Sequence, residues 1–310
     1  MKMPHPAQNS TISRRRFLAT SGALAAGAFL ASEQSWAALP DEQKYKKAVK
    51  IGMVQVDGTL SEKFALLKRL GFDGIEMDSP NDLRLEDVLR AREESGLTIH
   101  GVVDSRHWND DYRLSHPDAE VRARGVEALQ TALRDSKAYG GTSVLLVPGR
   151  VGPDGTYEQA WERSQAEIRK AIPLAEELEI HILLENVWND FLTDPAETAK
   201  YIDQLDSKWV GAYYDVGNSL RYAPPTEWIN ALKHRIIKLD IKEYSLSKAK
   251  EEGAYAGFDV KLLEGDCNWP QVMRALESIG FSGWGTAEIP GGGEERLAEI
   301  AQRMDRIFAS

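Results

Sequence analysis

Short apolar runs rich in β-branched residues recur along the chain. Each is followed by a stretch whose apolar positions return every three or four residues. The runs predict strands over Ile51–Val56, Gly74–Met77, Thr98–Val103, Ser143–Val147, Ile180–Glu185, Val210–Asp215, Ile236–Ile241 and Gly285–Ile289. The longer periodicity predicts helices that include Ser61–Leu70, Ala119–Tyr139, Ala160–Leu178, Pro195–Leu205 and Trp269–Ile279. Ser61 is placed to cap the first of these and Gly71 to end it. Thr193-Asp194-Pro195 opens another with a capping residue followed by proline in the first turn.

Strands that are apolar throughout and alternate with helices imply a parallel sheet buried on both faces. Eight such units in residues 38–310 match the size of a closed (β/α)8 barrel, a TIM barrel, in one α/β domain. An open doubly wound sheet would carry a Gly-x-Gly-x-x-Gly turn after its first strand, and Val54-Gln55-Val56-Asp57-Gly58-Thr59 does not. No Pro/Ser-rich linker divides the chain. The long Gly- and charge-rich connection Tyr244–Asn268 has the length of an active-site loop.

The first residues break this pattern. Ser13-Arg14-Arg15-Arg16-Phe17-Leu18 leads into an Ala/Gly/Leu run that ends at Ala31, followed by Ser35-Trp36-Ala37. A basic start, a short apolar run and a small-x-small site form an export signal, and the paired arginines resemble a twin-arginine (Tat) leader. The run is shorter than the roughly 20 residues a membrane span needs. The expectation is a cleaved signal over residues 1–37, a periplasmic mature protein and no stable membrane anchor after cleavage. Export of a folded chain suits a sequence whose single cysteine, Cys267, excludes an intrachain disulfide.

Charge then narrows the function classes. The whole chain has 48 acidic and 38 basic residues, a net of −10. Loss of residues 1–37 removes four basic residues and one acidic, which leaves a net of −13. That balance argues against nucleic acid as a partner, because phosphate contacts need Lys and Arg.

The acids that matter fall at strand ends. The fifth to eighth strands end or nearly end at Glu185, Asp215, Asp240 and Glu288. Strand C-termini converge on the face of a barrel where enzymes of this architecture keep their sites. Four carboxylates confined together need a compensating cation, and an oxygen-rich set favours a hard divalent ion. Residues two apart on a strand share a face, so Lys238 and Lys242 accompany Asp240 inward while Glu243 points away.

Glu185, Asp215 and Glu288, with the eight-unit count and the segment Leu263-Glu264-Gly265-Asp266, resemble the xylose isomerase-like TIM barrels of the sugar phosphate isomerase/epimerase family. The resemblance implies a ligand set of Glu185, Asp215, Asp240 and Glu288. Mn2+ or Mg2+ is the first expectation, with Co2+ and Zn2+ as alternatives. It further implies that Glu185 and Glu288 exchange the substrate proton. Asp240 stands where the family carries a histidine ligand, and Asn218 where a histidine commonly follows the strand-six aspartate. These two departures leave metal ligation intact and bear on the reaction.

A divalent ion beside a hydroxyketone acidifies the neighbouring C–H, and a carboxylate pair can remove and return the proton. The reading is therefore an isomerase or epimerase of an unphosphorylated sugar or keto-sugar. A lyase or hydratase acting on 3-keto-glycosides is the alternative, and a non-catalytic sugar-binding protein a third reading. Candidate substrate contacts are His100, His107, Trp108, Trp188, Asn218, Arg221 and Lys242. The partner is a small carbohydrate, and a homo-oligomer is allowed.

Overall fold

The computed structural model describes residues 44–310. The expected export signal lies outside the described residues. Eight strands close into a barrel in chain order: β1 (Tyr45–Lys50), β2 (Gly74–Ser79), β3 (Thr98–Asp104), β4 (Ser143–Leu146), β5 (His181–Glu185), β6 (Val210–Asp215), β7 (Ile236–Ile241) and β8 (Gly283–Ala287). All pairings are parallel, and β8 returns to pair with β1. The helices are α1 (Leu60–Arg69), α2 (Leu85–Ser95), α3 (Ala119–Tyr139), α4 (Tyr157–Leu178), α5 (Pro195–Gln204), the single turn α6 (Val216–Ser219), α7 (Pro225–Leu232), α8 (Leu246–Glu252), α9 (Trp269–Ser278) and α10 (Glu294–Phe308). Among them, none is long and apolar enough to cross a membrane.

Alternation along the strands divides the side chains into two sets. The outward set, including Val49, Ile75, Val144, Ile182, Tyr214 and Leu239, packs against helical residues such as Phe64, Leu133, Ile168, Trp228, Leu276 and Ile300. The inward set is only partly apolar. Val103, Leu145, Leu183 and Tyr213 form a small separate cluster. Glu76, His100, Ser143, Lys238, Asp240 and Thr286 are also buried.

Buried polar groups are tolerable when they bond to one another. Here Lys238 Nζ donates to the His100 carbonyl at 2.6 Å and to Ser143 Oγ at 2.7 Å, and lies 3.0 Å from His100 Nδ1. His100 Nε2 is 3.2 Å from Thr286 Oγ1, which is 2.7 Å from the Tyr213 hydroxyl. Tyr213 in turn donates to Glu76 Oε2 at 3.2 Å.

Three of the differences from the sequence reading bear on how the barrel is built. The first strand is Tyr45–Lys50, and Ile51–Met53 form a 3-10 turn at its end. Three lysines in Tyr-Lys-Lys-Ala-Val-Lys hide the apolar signal, although Lys47 serves as an outward-facing ion-pair partner of Asp305. The last strand ends at Ala287, so Glu288 directly follows it. Thr59, not Ser61, caps α1, through a reciprocal bond pattern with Glu62.

Two connections hold the upper face in place. Glu243 points away from the barrel and accepts from the backbone N–H groups of Leu263 at 2.7 Å and Cys267 at 3.1 Å, and from Trp269 Nε1 at 2.8 Å. That anchors the 244–268 connection, which includes α8. The 105–118 connection is held by close approach at Gly125 in α3, where an added Cβ would lie 2.1 Å from the Tyr112 carbonyl oxygen.

Replacing an interior helical glycine by alanine ordinarily stabilises by about 1 kcal/mol. At Gly125 the sign is expected to reverse, with Gly125→Ala destabilising by about 1–3 kcal/mol through overpacking. Urea denaturation checks this, and an alanine variant as stable as the parent refutes the close approach.

Candidate active site

The four strand-end carboxylates meet at the mouth of the barrel. One oxygen from each of Glu185, Asp215, Asp240 and Glu288 lies within 4.8 Å of the others. Two lysines enter the same space. Lys50 Nζ, at the end of β1, is 2.8 Å from Glu288 Oε1, 3.1 Å from Asp240 Oδ2 and 3.9 Å from Glu76 Oε2. Lys242 Nζ, just past β7, is 2.5 Å from Glu288 Oε2 and 3.0 Å from Asp215 Oδ2.

The remaining valences show what the cluster can hold. Glu185 Oε2 and Asp240 Oδ1 are buried and accept no hydrogen bond among the described residues. Asp215 Oδ2 and Glu288 Oε2 meet only the Lys242 ammonium, as ion pairs. Four convergent carboxylates with spare buried oxygens fit a hard divalent cation.

The environment separates the two glutamates. Burial, and then repulsion from Glu288, push the Glu185 carboxyl well above the ordinary carboxylate range. Burial acts in the same direction on Glu288, but Lys242 and Lys50 outweigh it and hold that carboxyl below its usual value. Burial also raises Asp215 to about 6 and Asp240 well above its usual value. Carboxylates driven apart in this way can serve as acid and base of one reaction.

Past the ends of β3, β4 and β5 is a cavity of about 210 Å³, lined among others by Asp104, His107, Trp108, Trp188 and Asn189 and by none of the four carboxylates. Trp108 is largely exposed at its lip. Trp188 donates from Nε1 to the Asn218 carbonyl at 2.9 Å and is flanked by Tyr244, Tyr255 and Phe258 from the 244–268 connection. An aromatic wall beside charged groups suits a sugar, with one apolar ring face and many hydroxyls.

The other expected contacts occupy different positions. Arg221 is exposed and stacks over Trp188 at 4.7 Å, outside the residues that line the cavity. Asn218 positions rather than receives, because its Nδ2 donates to Glu185 Oε1 at 3.1 Å and its Oδ1 accepts from Lys242 at 3.3 Å. Lys242 is an integral part of the cluster. His100 is placed differently from the expectation: it is buried in the barrel interior, both ring nitrogens are engaged by Lys238 and Thr286, and its ring stacks on Trp284.

Sequence reasoning missed Lys50, because its strand was set six residues too late. Glu76 and Asp104 were legible only as strand-end acids. Burial raises the Asp104 carboxyl to about 7, against the opposing bond from the Arg106 N–H at 3.1 Å.

A parallel eight-stranded barrel with acids at four successive strand ends defines the class. The chain belongs to the xylose isomerase-like TIM barrel family, whose sequence profile matches residues 64–307. Among its relatives is SgbU of Escherichia coli K12, provisionally named an L-ribulose-5-phosphate 3-epimerase. The two are 23% identical over 72% of this chain and 80% of SgbU. The fold is similar to a D-tagatose 3-epimerase-like protein, with a TM-score of 0.72 and 19% identity over 85% of this chain and 97% of the other. It is also similar to the 3-keto-D-glucoside 4-epimerase of E. coli, with a TM-score of 0.69 and 16% identity over 87% and 100%.

The Asp104 shift has a measurable consequence. Its folded-state pKa, about 7, lies above the ordinary aspartate value near 4. Stability from this group is therefore present at low pH and is lost as pH rises toward 7. Asp104→Asn removes that loss, so its stability advantage over the parent should grow by about 2 kcal/mol between pH 5 and pH 8. Parallel urea titrations measure the gap, and a gap independent of pH would contradict the shift.

Proposed function

We propose that this protein is a metal-dependent isomerase or epimerase of an unphosphorylated sugar or keto-sugar, working by proton removal beside a carbonyl. The observation that carries the reading is the convergence of Glu185, Asp215, Asp240 and Glu288, together with an aromatic-walled cavity. The names of SgbU and of the two solved neighbours described above, each an epimerase or epimerase-like protein, support it.

A divalent ion held by those four carboxylates would supply Lewis acidity to the substrate carbonyl. An all-oxygen donor set favours Mg2+ or Mn2+ over Zn2+, which prefers nitrogen and sulfur. The chain's own groups account for the proton. Glu288, kept ionised by two ammonium groups, accepts it from the carbon next to the carbonyl. Glu185, whose surroundings favour the protonated form, returns one, and Asn218 fixes its orientation. Trp108 and Trp188 bound the sugar and limit water beside the enediolate.

The charges around the cavity support an unphosphorylated substrate. Arg113 and Arg150 line it, but Arg113 pairs with Asp154 and Arg150 with Asp110. The glycines before α10 offer no phosphate cradle, since Glu294 and Glu295 fill that helix's first turn with negative charge. Export to the periplasm, which rests on the leader, belongs to the same proposal.

Purified protein is expected to carry about one divalent ion per chain by elemental analysis. Glu185→Gln and Glu288→Gln should each lower turnover by about a hundredfold or more while the protein stays folded. Incubation with ketoses and 3-keto-glycosides in D2O, followed by NMR, identifies the reaction. Deuterium at one carbon of an intact sugar is the expected outcome, and a released aglycone indicates a lyase. Absence of exchange together with absence of metal affinity would refute the reading.

A further inference from the structure

His107 has a hydrogen-bonding arrangement that fixes its chemistry. Its Nδ1 accepts from the backbone N–H of Val147 at 3.1 Å. A backbone amide can only donate, so Nδ1 presents a lone pair, and a neutral ring must carry its proton on Nε2. Nε2 is shielded from solvent and has no hydrogen-bond partner among the described residues. The ring lies edge to face against Trp108, with centroids 4.5 Å apart, so it is held in this orientation.

His107 lines the cavity with Asp104, Trp108 and Trp188. Lys50 and Glu288 are the charged groups that act on the ring through space. Burial, followed by the Lys50 ammonium, pushes the imidazole down to about 3, so it stays neutral at any working pH. With its Nδ1 lone pair taken by the Val147 N–H and its basicity lowered, the ring is a poor base, but it can donate a hydrogen bond without adding a charge.

We propose that His107 is a catalytic hydrogen-bond donor whose Nε2–H binds the substrate oxygen on which negative charge develops. The oxygen's identity as that of a sugar carbonyl rests on the proposed function; the tautomer does not. A fixed donor aimed at a developing charge lowers the barrier most, because it needs no reorganisation during the reaction. The Val147 amide is the positioning group, and it determines which ring nitrogen carries the proton. This role differs from that of Lys50 and Lys242, whose charges are already engaged by carboxylates.

The test uses the full mature chain with 15N-labelled histidine, the His107 signals being assigned by their loss in His107→Gln. The expected spectrum is an Nε2–H neutral ring that is unchanged between pH 5.5 and pH 8. Its Nε2 signal should move when D-fructose or a methyl 3-keto-D-glucoside is added. In D2O exchange, His107→Leu should lose about a hundredfold in kcat with a smaller change in KM. His107→Gln, whose side-chain amide places an N–H near the same position, should recover much of that loss.

An Nδ1–H ring or an imidazolium over this pH range overturns the proposal, as does a leucine variant within threefold of the parent. Should the leucine variant not fold, the spectrum and the glutamine variant decide the matter. If the parent turns over neither probe, the proposed function fails and the spectrum still decides the tautomer.

Discussion

Glu288 sits between two ammonium groups, 2.8 Å from Lys50 and 2.5 Å from Lys242, and the rest of the site depends on that arrangement. Four carboxylates in a closed space repel one another, and each loses hydration on burial. The two lysines enter from opposite sides of the cluster in sequence, one at the end of the first strand and one just past the seventh. Through Lys50 the network reaches Asp240 and Glu76, and through Lys242 it reaches Asp215 and Asn218. Closure of the barrel is what allows this, because β1 and β8 must pair for Lys50 to meet Glu288.

The polar floor below the cluster extends the same logic. Lys238, His100, Ser143, Thr286 and Tyr213 form a bonded chain that ends on Glu76, the acid nearest Lys50 from below. An apolar floor would leave Glu76 with little beyond a distant ammonium. The outer core of aliphatic and aromatic residues between strands and helices carries the stability of the fold. The interior is thereby free to hold charge. Glu243 shows the division on a single strand: Asp240 and Lys242 face the chemistry, while Glu243, turned outward, ties the loop that brings Tyr244 and Phe258 against Trp188.

Much of this was legible in the sequence because two signals are local. Continuous apolar runs mark strands buried on both faces, and β6 and β7 were located to the residue. The acids at strand ends were legible only as a set: one such acid is ordinarily a helix cap, as Asp215 is for α6, but four successive strands close on one. The hidden parts share a cause: a residue whose type contradicts its local environment. Lys50 ends a strand that three lysines disguise, and its value comes from carboxylates some two hundred positions away. His100 has the composition of a mouth residue, but its depth is set by β3 register, which a single sequence does not show. The helices α2 and α10 also went unnamed, the first because charged residues dominate Leu-Glu-Asp-Val-Leu-Arg-Ala-Arg-Glu-Glu-Ser.

The aspartate at position 240 follows from the same electrostatics. A histidine there, as in the family this chain resembles, would give three carboxylates and a neutral nitrogen. Asp240 adds a fourth negative charge, and its Oδ2 is taken by Lys50 at 3.1 Å. Counted as fully ionised, four carboxylates against the Lys50 and Lys242 ammonium groups leave a formal charge of about −2, which a single divalent cation balances. The exchange of nitrogen for oxygen therefore changes both which cation suits the site and, by one unit, the charge it must neutralise. It also leaves Asp240 Oδ1 as a hard donor with no other partner among the described residues.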